Sequence, residues 1–157
     1  SEVLDQVDLK ILDLLQHDSS VTNVKIGEAV GVSPPTVHTR IKRLQELGFI
    51  ERYTAQLNPR KLGYDLQCVI HINLSKHNLD DVNTFRDELV QLPEVRFAYQ
   101  LTGSYDYLVM VLVRDQEALR QFLMDTLTAY PSVERIQTSI VLDTLKQSTV
   151  IPIEIDP

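Results

Sequence analysis

Within about three helical turns, residues 33–43 gather Ser33, Thr36, His38, Thr39, Arg40, Lys42 and Arg43, and no carboxylate falls among them. Hydroxyl and imidazole groups can exchange hydrogen bonds with base edges, whereas guanidinium and ammonium groups suit phosphate or guanine. That mixture is the chemistry of duplex DNA recognition. A second set, Thr102-Gly103-Ser104-Tyr105-Asp106, offers backbone amides able to hold a carboxylate and a side chain able to accept an ammonium group. A free amino acid carries both groups. A glycine-containing hairpin turn with an aspartate cap needs no ligand, so the residues alone leave both readings open.

The elements that must position the first set are legible from caps and periodicity. Ser33 can accept an amide hydrogen bond, and Pro34 and Pro35 sit where a helix needs no amide donor. The spacing therefore predicts a helix from Pro34, with Val37, Ile41 and Leu44 as its apolar stripe and Gly48 as its left-handed stop. A preceding helix over Asn23 to Val30 starts behind Thr22 and is expected to pack Val24, Ile26, Ala29 and Val30, with Gly31 making the turn. An earlier helix, Gln6 to Gln16, buries Val7, Ile11, Leu12, Leu14 and Leu15 behind the cap Asp5. Three helices around a small core result, the last two spaced as a helix-turn-helix.

Charge distribution supports this placement. The chain has 15 Lys+Arg against 22 Asp+Glu, a formal net charge of −7, so it is a poor nonspecific polyanion binder as a whole. Its bases are concentrated where the helix would meet phosphate, which predicts specific, salt-sensitive binding. Thr36, His38 and Thr39 are expected at base edges, and Arg40, Lys42 and Arg43 at phosphate or guanine, with Ser33 and Pro35 at the helix start also in the DNA-binding set. After Gly48, Phe49 to Thr54 and Gln56-Leu57 read as strand, and 58–65 as a Pro- and Gly-punctuated linker. Arg52, Arg60 and Lys61 can reach a DNA backbone from there or stand as solvated linker charges.

Residues 66–145 carry a weak internal repeat: Leu89, Pro93 and Val95 recur as Leu127, Pro131 and Val133, each 38 positions on (127 − 89). Strands are predicted over Gln67 to Ser75, Val95 to Leu101, Tyr107 to Val113 and Ile136 to Leu145. Between them lie a helix burying Val82, Phe85, Leu89 and Leu92 and another burying Leu119, Phe122, Leu123 and Leu127. The order is that of a ferredoxin-like βαββαβ sandwich, so the fold class is α+β. Helices on one face leave Val69, Leu108, Met110, Leu112 and Val141 on the other, and a homodimer is the economical cover.

These features together resemble the Lrp/AsnC (leucine-responsive, feast/famine) family of bacterial and archaeal transcriptional regulators. The resemblance rests on Leu4-Asp5-x-x-Asp8-x-x-Ile11-Leu12, Val30-Gly31-Val32-Ser33-Pro34, Val37-x-x-Arg40-Ile41-x-x-Leu44 with Gly48-x-Ile50, and Gly103-x-x-Asp106-Tyr107. It implies a winged helix-turn-helix over 1–57, a linker over 58–65, and a βαββαβ (RAM) effector-binding and oligomerisation domain over 66–157. It further implies dimers assembling into octamers, a pseudo-palindromic duplex target, and an amino-acid effector bound where dimers meet, at Thr102 to Asp106. Tyr99, Gln137, Thr138 and Ser139 on neighbouring strands extend that site. A cytoplasmic, nucleoid-associated location follows from the same resemblance. Two departures stand out: Gly27 replaces the usual small alanine, and Ser19-Ser20-Val21-Thr22 replaces a segment that often carries arginine.

Enzyme chemistry fits poorly. Cys68 alternates with apolar residues and reads as a buried thiol, which also suits a reducing compartment. His71 and His77 lack a third ligand for zinc, so no metal or other cofactor is expected. Asp80-Asp81 and Asp87-Glu88 read as solvated helix acids. No signal peptide and no membrane-spanning run is visible; Tyr107 to Val113, the longest apolar run, is far short of the ~20 residues needed. The expected function is thus a sequence-specific regulator; the alternatives are an architectural DNA-compacting protein and a ligand-sensing module that binds no DNA.

Overall fold

The computed structural model describes residues 4–157; the first three residues of the expected amino-terminal domain lie outside that range. The chain forms two compact units, one running up to Gln56 and including Lys146–Pro157, the other Leu57–Leu145.

In the helical unit α1 (Gln6–His17), α2 (Asn23–Val30) and α3 (Pro34–Glu46) close on a core of Ile11, Leu15, Ile26, Val37 and Leu44. Each start is capped as its sequence dictates. Asp5 forms a reciprocal capping box with Asp8, Thr22 accepts from Lys25 N–H, and Ser33 accepts from Thr36 N–H ahead of two prolines. Gly31 (φ 79°) and Gly48 (φ 82°) take the left-handed positions that end α2 and follow α3.

The face α2 buries differs from the expected one. Val24 is 54% exposed and Ala29 is also exposed; Ile26 and Gly27 are the buried positions. Gly27 is there because the chain folds back on it. A Cβ at this position would lie 2.5 Å from the Val32 carbonyl oxygen, while the amides of Gly31 and Val32 both donate to the Gly27 carbonyl. The strand expected over Phe49 to Leu57 does not form, because that segment has no ladder partner. The carboxy-terminal segment, expected with the sheet domain, groups instead with the helices. The side-chain amide of Gln16 both donates to and accepts from the Ile151 backbone at 2.8 Å, while Gln6 accepts from the Asp156 amide at 3.0 Å and donates to the Asp156 carboxylate at 3.2 Å. The Gln16 amide thus satisfies both backbone groups of Ile151, as a neighbouring strand would.

The second unit is a four-stranded antiparallel sheet in the order β2-β3-β1-β4, formed by β1 (Leu66–Leu74), β2 (Val95–Gln100), β3 (Tyr107–Val113) and β4 (Val133–Ile140). Helix α4 (Leu79–Leu89) connects β1 to β2; α5 (Gln116–Gln121), continued by a π-helical segment Phe122–Leu127, connects β3 to β4. This is the βαββαβ arrangement, although the last strand, expected over Ile136 to Leu145, runs over Val133–Ile140 instead. The linker contains a short 3-10 turn, Arg60–Leu62, stopped by Gly63.

Strand alternation sorts the sheet cleanly. Cys68, Ile70, Ile72, Leu74, Tyr107, Val109, Val111 and Val113 pack under Phe85, Leu89, Leu119, Phe122 and Leu127. The opposite face carries Val69, His71, Leu108, Met110 and Leu112, none of them fully buried, flanked by Phe97 (43% exposed) and Tyr99 (51%).

Gly27→Ala measures the turn constraint directly. Alanine ordinarily gains about 1 kcal/mol over glycine in a helix interior, but here its methyl must displace backbone, at about 1–3 kcal/mol. Thermal denaturation is expected to show a net loss of stability; a gain in melting temperature contradicts the close approach.

Candidate functional site

Helix α3 is fixed against α1 by charge as well as by apolar packing. Asp8, buried at 2% relative exposure, accepts from Arg40 Nη1 at 3.1 Å and lies 3.6 Å from Arg43 Nη1. Arg40 Nη1 also reaches both carboxylate oxygens of Asp5, at 2.8 and 2.7 Å. That hydrogen bond from Arg40, with a second from the Asp8 amide, holds the Asp5 carboxyl below its ordinary value, and Asp5 in turn raises Arg40. Arg40, expected at phosphate or guanine, is therefore committed inside the unit, its charge answered by two aspartates. Periodicity missed this because Arg40 is three residues past Val37 and borders the buried stripe.

The other members of the set stay on the outer side. Thr36, His38, Thr39, Lys42 and Arg43 are exposed. The Ser33 and Thr36 hydroxyls lie 2.9 Å apart, and Thr39 donates to the Pro35 carbonyl at 3.1 Å, leaving its lone pairs outward. His38, Lys42 and Gln45 line a groove of about 260 Å3 together with Asn23 and Tyr53. Lys42 has no hydrogen-bond or ion-pair partner among the described residues. Tyr53 belongs to the segment expected as strand, and its place beside α3 has no signal in local periodicity. Arg52 is exposed on the irregular segment that follows α3.

In the sheet unit the loop between β2 and β3 is tied to the end of β1. The Asp106 amide donates to the Ile72 carbonyl and to Asn73 Oδ1, while Asn73 Nδ2 donates to the Ser104 carbonyl. The Asp106 carboxylate accepts from Leu74 N–H at 2.9 Å and lies 3.3 Å from Lys76 Nζ. The side chain expected to take a ligand's ammonium group thus already serves the loop's own fold. Gly103 (φ 100°) opens the loop, and the amides of Thr102, Gly103 and Ser104 have no protein acceptor among the described residues.

Tyr105 lies over the uncovered sheet face. Its ring centroid is 4.9 Å from that of His71 and 5.3 Å from the Arg135 guanidinium, and its hydroxyl donates to Gln137 Oε1. Register places Gln137 opposite His71 and Ser139 opposite Val69, on this same face, with Tyr99 opposite Leu108. Thr138 is opposite Ile70 and so points to the helix-covered side, a correction that alternation demands. His71, Asn73, Lys76 and Arg135 are additions that sequence reasoning missed as site residues, although alternation already put His71 and Asn73 opposite the buried Cys68, Ile70 and Ile72. The His71 Nδ1 atom is buried without a hydrogen-bond partner. Burial pushes the Cys68 thiol up, away from nucleophilic reactivity. Among the described residues no group of three or more His, Cys, Asp or Glu could hold a metal ion, and no helix is long and apolar enough to cross a membrane.

A helix-turn-helix unit with a basic and hydroxyl-bearing second helix, joined to a βαββαβ unit with an open sheet face, defines the class of a two-domain DNA-binding regulator. Comparison with known proteins agrees at both ends: residues 4–45 match the AsnC-type helix-turn-helix domain, and residues 67–151 match the Lrp/AsnC ligand binding domain. The chain is 35% identical over 152 residues to the transcriptional regulator AzlB of Bacillus subtilis, covering 97% of each chain. It is 36% identical over 145 residues to the leucine-responsive regulatory protein of Escherichia coli, covering 92% of this chain and 88% of that one. Among solved structures, a Neisseria meningitidis transcriptional regulator in complex with L-Met superposes with a TM-score of 0.91 at 35% identity, covering 96% of this chain and 97% of that one. AsnC of E. coli follows at 0.85 and 29%, covering 94% and 98%. The chain belongs to the Lrp/AsnC family of transcriptional regulators.

Arg40→Gln tests the ion-pair cluster. Removing a charged hydrogen-bond donor from buried Asp8 is expected to cost about 1–3 kcal/mol at neutral pH, with Arg43 still nearby. Because the Asp5 pKa is lowered on folding, its contribution is present above its unfolded value and is lost as pH falls, below about pH 4. The variant is expected to unfold at a higher pH in an acid titration followed by circular dichroism; an unchanged midpoint contradicts the pairing.

Proposed function

We propose that the chain reads duplex DNA sequence-specifically through the outer face of α3 and that an amino acid bound near the Thr102–Asp106 loop changes how strongly it does so. The observation that carries the first part is an exposed stretch of α3 with Thr36, His38, Thr39 and Lys42 and no acid before Glu46 in the last turn, on a chain of net charge −7. Thr36, His38 and Thr39 face base edges. Lys42 meets phosphate, Arg52 follows the backbone, and Arg43 divides its charge between Asp8 and the duplex. Arg40 contributes by positioning α3, and Ser33 and Pro35 by setting where the helix begins.

The uncovered sheet face is closed by a second copy of the chain, which aligns two α3 helices on a pseudo-palindromic site about one DNA turn, ~34 Å, apart. Phe97, Tyr99, Leu108 and Met110 supply the apolar area for this contact, and the dimers join into an octamer. Thr102, Gly103 and Ser104 amides hold the effector's carboxylate, with Tyr99, Tyr105, Gln137 and Ser139 around it and Lys76 and Asp106 keeping the loop in shape. A relative solved with L-Met supports the amino-acid class. The protein acts in the cytoplasm of a bacterium or archaeon by binding alone, without catalytic turnover.

Fluorescence anisotropy on specific and scrambled duplexes across a salt series tests the DNA reading. Lys42→Ala is expected to weaken both complexes and to lower the salt slope by about 1. Equal affinity for the two duplexes at every salt concentration overturns sequence-specific reading.

Thermal shift against the twenty amino acids identifies the effector class. A stabilising response to L-methionine or another neutral amino acid is expected, and Gln137→Ala should weaken it about tenfold. An unchanged response in that variant contradicts the loop site.

A further inference from the structure

The sites described so far leave unused a cavity of about 460 Å3 in the sheet unit, beside the end of β3, the start of β2 and the π-helical segment. Three charged side chains line it, Glu94, Arg114 and Asp125, together with Tyr64, Gln121 and Phe122.

Arg114 is held in place without being neutralised. Its guanidinium carbon lies 4.5 Å from the Tyr64 ring centroid, and the backbone at Gly63 (φ 88°) comes so near that a Cβ there would sit 2.8 Å from Nη1. Stacking occupies the face of the guanidinium and leaves its in-plane N–H groups available. Among the described residues no carboxylate pairs with it, and neither Glu94 nor Asp125 has an ion-pair partner within 4 Å, Arg120 acting on Asp125 only at longer range. A cation and two anions around one cavity would ordinarily collapse into a salt bridge unless their backbones keep them apart.

The backbones that carry the two acids are anchored separately. The Glu94 peptide is anchored by the Leu112 amide, which donates to its carbonyl at 2.9 Å. Asp125 rides on the π-helical turn, where the Thr128 amide reaches back five residues to the Leu123 carbonyl at 3.1 Å between buried Phe122 and Leu127. Such turns are rare and are concentrated at functional sites. The walls together carry one positive and two negative charges over an apolar floor.

We propose that this cavity is a second small-molecule site, for a dibasic α-amino acid whose carboxylate meets Arg114 and whose two cationic groups meet Glu94 and Asp125. The volume falls within the range of small-molecule pockets, about 300–1,000 Å3, and a single chain supplies every wall. The site is separate from the Thr102–Asp106 loop and does not depend on it.

Isothermal titration of the full chain with L-lysine, in saturating L-methionine, tests the site. One L-lysine per chain is expected, with cadaverine, which lacks the carboxylate, binding at least about tenfold more weakly, a difference of about 1.4 kcal/mol. Glu94→Gln combined with Asp125→Asn should weaken L-lysine by at least about tenfold at unchanged melting temperature, and Arg114→Gln should erase the preference over cadaverine. No binding, unchanged affinity in the double variant, or a preference that survives Arg114→Gln overturns the proposal. Displacement of L-lysine by L-methionine also overturns it while leaving the loop site standing; absence of any L-methionine response bears on the loop site alone.

Discussion

A single buried charge governs the helical unit. Asp8 has almost no contact with solvent, and a carboxylate in that position must find partners or forfeit several kcal/mol of solvation. It finds Arg40 and Arg43 on α3, and Asp5 at the start of α1 shares Arg40. Replacing such a cluster by apolar residues often costs nothing in stability, so its value lies elsewhere. Directional hydrogen bonds between α1 and the middle of α3 permit one rotation of α3, whereas the apolar contacts of Val37 and Leu44 tolerate several. A helix that is to present Thr36, His38 and Thr39 to fixed base edges needs that restriction.

The sheet unit is shaped by an asymmetry of cover. Two connecting helices and four strands produce one buried face, and the strands cannot avoid having a second. Along β1 and β3 that second face is apolar or half-apolar, from Val69 and His71 to Leu108, Met110 and Leu112. Tyr105 folds over part of it and engages His71, Arg135 and Gln137, so the loop between β2 and β3 and the open face form one continuous surface. Anything that moves the loop moves a ring that lies on the face.

Much of this was legible because local rules and tertiary demands coincide. Asp5, Thr22, Ser33 and Gly48 cap or stop helices by chemistry that needs no neighbour beyond a turn, and alternation separated Ile70 from His71 without reference to a fold. The 38-residue repeat located both connecting helices. Most of the failures come from contacts that local periodicity does not register. Arg40 looked like a free base because Asp5 and Asp8 are more than thirty residues away, and Asp106 looked free because Leu74 and Lys76, at and just past the end of β1, are about thirty residues earlier. Gly27 looked like a departure from a preferred alanine until the Val32 carbonyl appeared above it. Thr138 was a different kind of miss, since counting from Gln137 already assigns it to the opposite face.

Arg40's engagement changes what one copy of the chain can do. With Arg40 spent on Asp5 and Asp8, and Arg43 near Asp8, the outward charge of α3 rests chiefly on Lys42. Each neutralised phosphate adds only about one unit to the dependence of log affinity on log salt, so a lone α3 with one such contact binds weakly. Joining two copies makes the second contact intramolecular, and avidity then exceeds single-site affinity by about 10²–10⁴ if both helices can engage at once. On the proposed reading the regulated quantity is therefore the geometry of pairing at the sheet. A ligand that alters the loop over that face can change occupancy on DNA without touching α3, because the weak single reader has little affinity to fall back on.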